Sequence, residues 1–194
     1  MNTNQQPEQI ILAGDMALRF GLAIGSTTRG YLASTVIDVN EQRHGTSLAR
    51  AVKFAQMKTR LWVQQHGIKL VHRVVYEEPS NTASSNKLPQ YAMVTGLILA
   101  GDDLGCWLTK FYWPPTVKSF CTGHGNAKKP AMIAAANDWT RDKLAREILD
   151  DNEADAVCLL RLAIAEINGQ YVRPAKKKRK GGKPTKAQQQ AGLF

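Results

Sequence analysis

Long apolar runs are missing from this 194-residue sequence: no stretch approaches the roughly 18 residues that a helix needs to cross a bilayer. The opening Met-Asn-Thr-Asn-Gln-Gln-Pro also lacks the basic start and apolar segment of a secretory signal, so an intracellular, cytoplasmic protein is expected. Cysteine is scarce. Cys106, Cys121 and Cys158 are odd in number and widely spaced, which excludes a disulfide framework and a CxxC zinc site and leaves small buried side chains in a reducing compartment. Acidic residues are absent from Arg173 to Phe194, where eight of the 26 basic residues sit. The remaining 18 basic residues face 16 acids, so the body carries only +2 of the +10 net charge. A nucleic-acid signal therefore resides in the tail and not in the body.

Hydrophobic content of 43% and charged content of 22% are those of a globular domain with its own core. Gln9–Gly14 reads as a buried strand ending at Asp15, and Phe20–Gly25 and Tyr31–Val39 as two further strands on short, antiparallel connections. A helix is expected from about Ser47 to Gln65, with Leu48, Ala51, Val52, Ala55 and Trp62 on one face, Thr46 or Ser47 as cap and Gly67 as stop. Leu70–Glu77 is the next strand. A small, polar stretch, Pro79–Asn86, precedes a small-residue helix at Ala92–Ala100. Cys106–Trp113 is a fifth strand closed by Pro114-Pro115, and Ala127–Ala136 and Asn152–Ile167 are helices. This order describes an α/β fold with a mixed five-stranded sheet, helices on both faces, and later strands parallel to the first. The folded body is expected to span residues 1–172, and the Lys-, Gly-, Pro- and Gln-rich residues 173–194 to be disordered when free.

Carboxylates stand at the ends of buried elements: Asp15 after Ile10–Gly14, Glu77 after Val74-Val75-Tyr76, and Asp150-Asp151-Asn152-Glu153-Ala154-Asp155 at the start of a long apolar helix. Parallel neighbours would carry Asp15 and Glu77 to the same carboxyl edge of the sheet, where ligand sites gather. Converging carboxylates repel and take up protons unless something positive compensates them, and one or two Mg²⁺ ions do so most cheaply. Taken singly, each acid is a solvated loop residue; taken together they point to a metal-dependent nuclease. Asp151 or Asn152 can share a helix face with Asp155, whereas Glu153 should point elsewhere. Tyr112 and Trp113 read as core aromatics, with base stacking as the rival role.

Four segments in this order resemble the RuvC family of Holliday-junction resolvases, in a phage or prophage-like branch. They are Ile11-Leu12-Ala13-Gly14-Asp15 with Phe20-Gly21; Val74-Val75-Tyr76-Glu77-Glu78-Pro79 with Gly96; Val117-Lys118 through Thr122-Gly123-His124-Gly125 to Ala127-Lys128-Lys129; and Glu153-Ala154-Asp155-Ala156. They cover nearly the whole body. The resemblance implies a ribonuclease H-like fold, a Mg²⁺ site in which Mn²⁺ substitutes, and a homodimer that nicks two strands of branched DNA. Asp15, Glu77 and Asp155 match the family's acidic positions, and Lys118 and Lys129 its basic residues near the scissile phosphate; Lys128 stands beside them.

The sequence departs from that family in two places. Met16-Ala17 follows Asp15 where the family carries Pro-Gly, and Asn152 stands where an acid or His precedes the last Asp. The fourth ligand is thus either Asp151 or Asn152, and Glu77 is preferred to Glu78 by its spacing to Gly96. His124 reads as a plain loop residue. In the tail, Lys176, Lys177, Lys178, Arg179 and Lys180 would bind phosphates non-specifically, with a steep salt dependence. The last five residues, Gln190–Phe194, resemble peptides that dock on bacterial sliding clamps.

Overall fold

A computed structural model describes residues 7–17, 19–38, 48–79 and 87–171 of the chain. Ten elements follow in order: β1 (Ile10–Asp15), β2 (Arg19–Ser26), β3 (Gly30–Asp38), α1 (Leu48–Gln65), β4 (Arg73–Glu77), α2 (Lys87–Asp103), β5 (Leu108–Tyr112), α3 (Pro114–Thr122), α4 (Lys129–Thr140) and α5 (Asp151–Ile167). The strands form one sheet in the order β3-β2-β1-β4-β5. β1, β2 and β3 are antiparallel neighbours, while β4 runs parallel to β1 and β5 parallel to β4. The mixed five-stranded sheet expected from the sequence is thus present, because two short turns can reverse a strand but a parallel return needs a crossover helix.

The pleat divides the core in two. Ile10, Leu12, Leu22, Ile24 and Val74 face α1 and α2, while Ile11, Ala13, Ala23 and Val75 face α3, α4 and α5. Along β1 the second set has the parity of Asp15, and along β4 that of Glu77. Parity alone therefore turns both carboxylates to the α5 side. α5 is apolar nearly all round and is buried from Ala154 to Ala165 apart from Asp155 and Arg161.

Several boundaries differ from expectation. α2 extends well beyond Ala92–Ala100, since Pro89 falls in its first turn, where a missing N–H costs nothing. β5 is shorter than Cys106–Trp113. Pro114 and Pro115 close it as expected, but they also open α3, a helix not expected from the sequence, which ends at Gly123 in the left-handed region (φ 81°). α4 begins at Lys129, not Ala127, and continues to Thr140. In α1 the buried face centres on Phe54, Ala55, Thr59 and Val63, with Ala51 and Trp62 at its margin. The proposed caps Thr46 and Ser47, the stretch 80–86 and the tail 173–194, with Lys176–Lys180 and Gln190–Phe194, lie outside the described residues.

Candidate metal centre

β1 and β4 pair with Gly14 opposite Tyr76, so Asp15 and Glu77 leave the sheet side by side at its carboxyl edge. α5 brings the third acid. Its first turn lies directly on β2 at Gly21, the residue opposite Asp15 in the β1–β2 register. A Cβ built on Gly21 would stand 1.9 Å from the carbonyl oxygen of Asn152, so only glycine permits this approach of helix to sheet. One turn further on, Asp155 reaches the other two acids. Asp15, Glu77 and Asp155 each offer a carboxylate oxygen within 4.8 Å of the others, and among the described His, Cys, Asp and Glu residues they are the one group of three or more that does so.

Burial and mutual repulsion mark the group electrostatically. Burial first, then the charges of Asp155 and Asp151, pushes the Asp15 carboxyl up; Glu77 is pushed higher by burial and by Asp15 and Asp155. A hydrogen bond joins Asp15 and Glu77, favouring the charged form of Asp15 and the protonated form of Glu77. Asp155 rises to about 6, chiefly through burial, with Lys118 opposing the rise. Lys118, on α3, lowers all three carboxyls and so lies within electrostatic reach of each.

The fit to a hard divalent ion rests on the oxygens themselves. All three donors are carboxylates, and Oδ1 of Asp155 is buried without a hydrogen-bond partner. A buried acceptor left open beside two other crowded carboxylates is what a cation would complete.

The remaining acids at the head of α5 are otherwise engaged. Asp150 caps the helix, accepting from the backbone N–H groups of Asn152 (2.9 Å) and Glu153 (3.2 Å), and pairs with Arg19 at 2.6 Å. Asp151 pairs with Lys129, the first residue of α4, and stands outside the three-acid group although its charge is felt by Asp15 and Asp155. Asn152 presents its backbone to Gly21. Glu78 does not join the group; one of its carboxylate oxygens is buried without a partner. Lys128 is the exposed N-cap of α4, and His124 lies exposed in the α3–α4 turn, its N–H on the Thr122 hydroxyl. Tyr112 is a core residue, its hydroxyl donating to Glu166 at 2.7 Å. Trp113 is not: it is 45% exposed at the end of β5, where α3 turns the chain out of the sheet.

Two supports went unread in the sequence. Gly21 was legible only as part of a motif, because nothing local says what a glycine in a strand must admit. Glu153, 3% exposed, does turn away from the acids, and it anchors α5. Arg146 donates to both of its oxygens (3.1 and 2.5 Å), and the hydroxyl of Ser34 on β3, itself bonded to Tyr31, donates to it at 2.5 Å. Arg146→Ala strands a buried carboxylate. With the arginine half exposed and partly screened, a loss of about 2 kcal/mol is expected in urea unfolding; an unchanged midpoint would show that Ser34 and Tyr31 suffice.

A cavity of about 600 Å³ lies elsewhere, between the starts of β4 and β5 and the end of α5, where Lys110 pairs with Glu166. The acids, by contrast, line the carboxyl edge of the sheet, and in such sheets it is that edge, not the opposite one, that carries ligand chemistry.

Solved structures of RuvC share this architecture. A Thermus thermophilus RuvC structure superposes with a TM-score of 0.63 at 16% identity, covering 83% of this chain and 97% of that one. T. thermophilus RuvC in complex with a Holliday junction substrate gives a TM-score of 0.63 at 18% identity, over 83% and 96% of the two chains. The fold is therefore that of RuvC. No protein-family model and no curated protein matches the sequence.

Proposed function

We propose that this chain is a Mg²⁺-dependent, structure-selective DNA endonuclease that resolves four-way junctions by paired nicks. The convergence of Asp15, Glu77 and Asp155 at the carboxyl edge, with Lys118 beside them, carries the reading. These three acids would hold the metal, assisted by Asp151 or by the side-chain oxygen of Asn152. Bound there, Mg²⁺ (or Mn²⁺) would supply activation of water and stabilisation of the leaving oxygen in phosphodiester hydrolysis. Lys118 is placed to meet the charge of the reacting phosphate. Lys129 would keep Asp151 oriented and, with Lys128, meet the flanking backbone.

Branched DNA as the substrate is supported by the shared fold, one of whose holders is a RuvC bound to a Holliday junction. Selectivity would come from the shape and deformability of the junction rather than base contacts. Lys176, Lys177, Lys178, Arg179 and Lys180 would add salt-sensitive phosphate binding. A homodimer fits paired nicks on a two-fold substrate. In its support, α2 leaves Leu88, Tyr91 and Leu99 exposed on one stripe, an apolar face suited to a second copy. Gln190–Phe194 is proposed as a sliding-clamp peptide, and its deletion should abolish clamp binding. The cytoplasm of a bacterial or phage-infected cell is the fitting compartment.

The pairing of Asp151 with Lys129, together with an amide at Asn152, favours a second reading: a branched-DNA binding protein that kept the fold and lost the chemistry. Incubation with labelled four-way junction, fork, flap and duplex, in Mg²⁺ and in EDTA, tests both. Symmetric nicks on the junction alone, and only with Mg²⁺, are expected. Nicking of flaps and forks as well would make the protein a broader nuclease, and binding without nicking in Mg²⁺ and Mn²⁺ would make it the binding protein.

A further inference from the structure

Two of the three cysteines, far apart in sequence, are neighbours in the fold. The Cys121 thiol on α3 donates to the backbone carbonyl of Cys158 on α5 at 3.5 Å, while the Cys158 thiol points to the carbonyl of Met132 at 3.9 Å. Cys106 is remote from both, bonded to Leu108 at 3.2 Å. Cys121 is half-buried and Cys158 buried. The pair forms a rung between two helices. Three residues before Cys121 is Lys118, and three before Cys158 is Asp155, so each cysteine shares a helix face with a residue of the carboxylate site. The Lys118–Asp155 attraction is the adjoining rung.

We propose that Cys121 and Cys158 are a modification site, a dithiol that low-molecular-weight disulfides convert to an intramolecular disulfide, and that this bond draws α3 onto α5 and switches off the neighbouring carboxylate site. The switching half rests on the endonuclease reading; the bond itself does not.

The chemistry balances as two exchanges. The half-buried Cys121, as thiolate, attacks one sulfur of the small disulfide, giving a mixed disulfide and releasing one small thiol. Cys158 then loses its proton to water and attacks the Cys121 sulfur, and the second small thiol leaves. The protein gives up two protons and two electrons, and the reagent takes them up in becoming two thiols. The order is set by the surroundings. Cys121 is half-buried and meets the reagent first, whereas Cys158 is buried, its thiol pushed up by its contact with Cys121 and by burial; the mixed disulfide then holds the target sulfur beside it.

A disulfide requires Cβ atoms about 3.8 Å apart with a dihedral near 90°. Both thiols now point to carbonyls, so both must turn and the helices must adjust. Displacements of about 1 Å at a catalytic centre cost on the order of 100-fold in rate.

The test uses the full chain carrying Cys106→Ser, so that only the pair remains. After oxidised glutathione, peptide mapping should find a Cys121–Cys158 bond. Junction cleavage should fall at least ten-fold and recover with dithiothreitol, and the rise in melting temperature caused by Mg²⁺ should shrink. With Cys121→Ser added, oxidation should change none of these. Glutathione adducts without the internal bond, or a bond that leaves both cleavage and the Mg²⁺ response intact, would overturn the proposal. If the reduced protein does not cut junctions, the endonuclease reading fails, and the Mg²⁺ response still decides the switch.

Discussion

Asp15→Asn is expected to lower junction cleavage by about three orders of magnitude and to leave junction binding within about three-fold of the unaltered protein. Asp15 lies at the centre of the group, within reach of Glu77, Asp155 and the charge of Asp151. Removing its charge removes a metal ligand but relieves repulsion, so the metal-free variant should melt higher than the unaltered protein. Retained cleavage by Asp15→Asn would place the chemistry elsewhere.

The pH dependence has its origin in the same crowding. All three carboxyls have folded pKa values above their unfolded ones, Asp155 at about 6 and the Asp15–Glu77 pair raised further by burial and repulsion. Each therefore binds its proton more tightly in the folded protein. Its contribution to stability is complete below about pH 4, the ordinary carboxyl range, and is lost as pH rises through the folded value. Metal-free protein should become less stable from about pH 5 through neutrality, and saturating Mg²⁺ should flatten that decline by replacing the protons. In thermal melts the Mg²⁺-induced rise should be several degrees near pH 8 and small near pH 5. A rise of equal size at both pH values would show the ion binding away from these acids.

Gly21→Ala is the second change of large expected effect. The added methyl would lie 1.9 Å from the carbonyl oxygen and 2.3 Å from the carbonyl carbon of Asn152, both backbone atoms that no rotamer change can move. The first turn of α5 must then lift from β2 and carry Asp155 away from Asp15 and Glu77. A loss of about 100-fold in cleavage is expected, with about 1–3 kcal/mol of destabilisation from overpacking. The Mg²⁺-dependent rise in melting temperature separates the two effects: it should disappear in the variant even at temperatures where the fold is intact. Near-normal cleavage would mean that the helix approach at Gly21 does not set the position of Asp155.

Much of the fold was legible because periodicity is local. The unbroken apolar run Ile10–Gly14 and the apolar helix after Asp150 report their own burial, and the lengths of the connections separate antiparallel from parallel neighbours. α3 was missed because a Pro-Pro pair ends a strand and begins a helix with the same chemistry, and the choice between them rests on how residues 116–122 pack against α5. Trp113 was misplaced because an aromatic at a strand end has no local sign of the turn that exposes it.

By itself, then, the sequence determined the five strands, four of the five helices, and that acids stand at the ends of β1 and β4 and the head of α5, since these depend on residues a few positions apart. The tertiary structure alone decided that Asp151 pairs with Lys129 and stays outside the group of Asp15, Glu77 and Asp155, that Gly21 admits the helix, and that Cys121 touches Cys158. Those outcomes depend on how closely a helix packs on a sheet, a distance set by side chains far apart in the chain and therefore written in no single stretch of it.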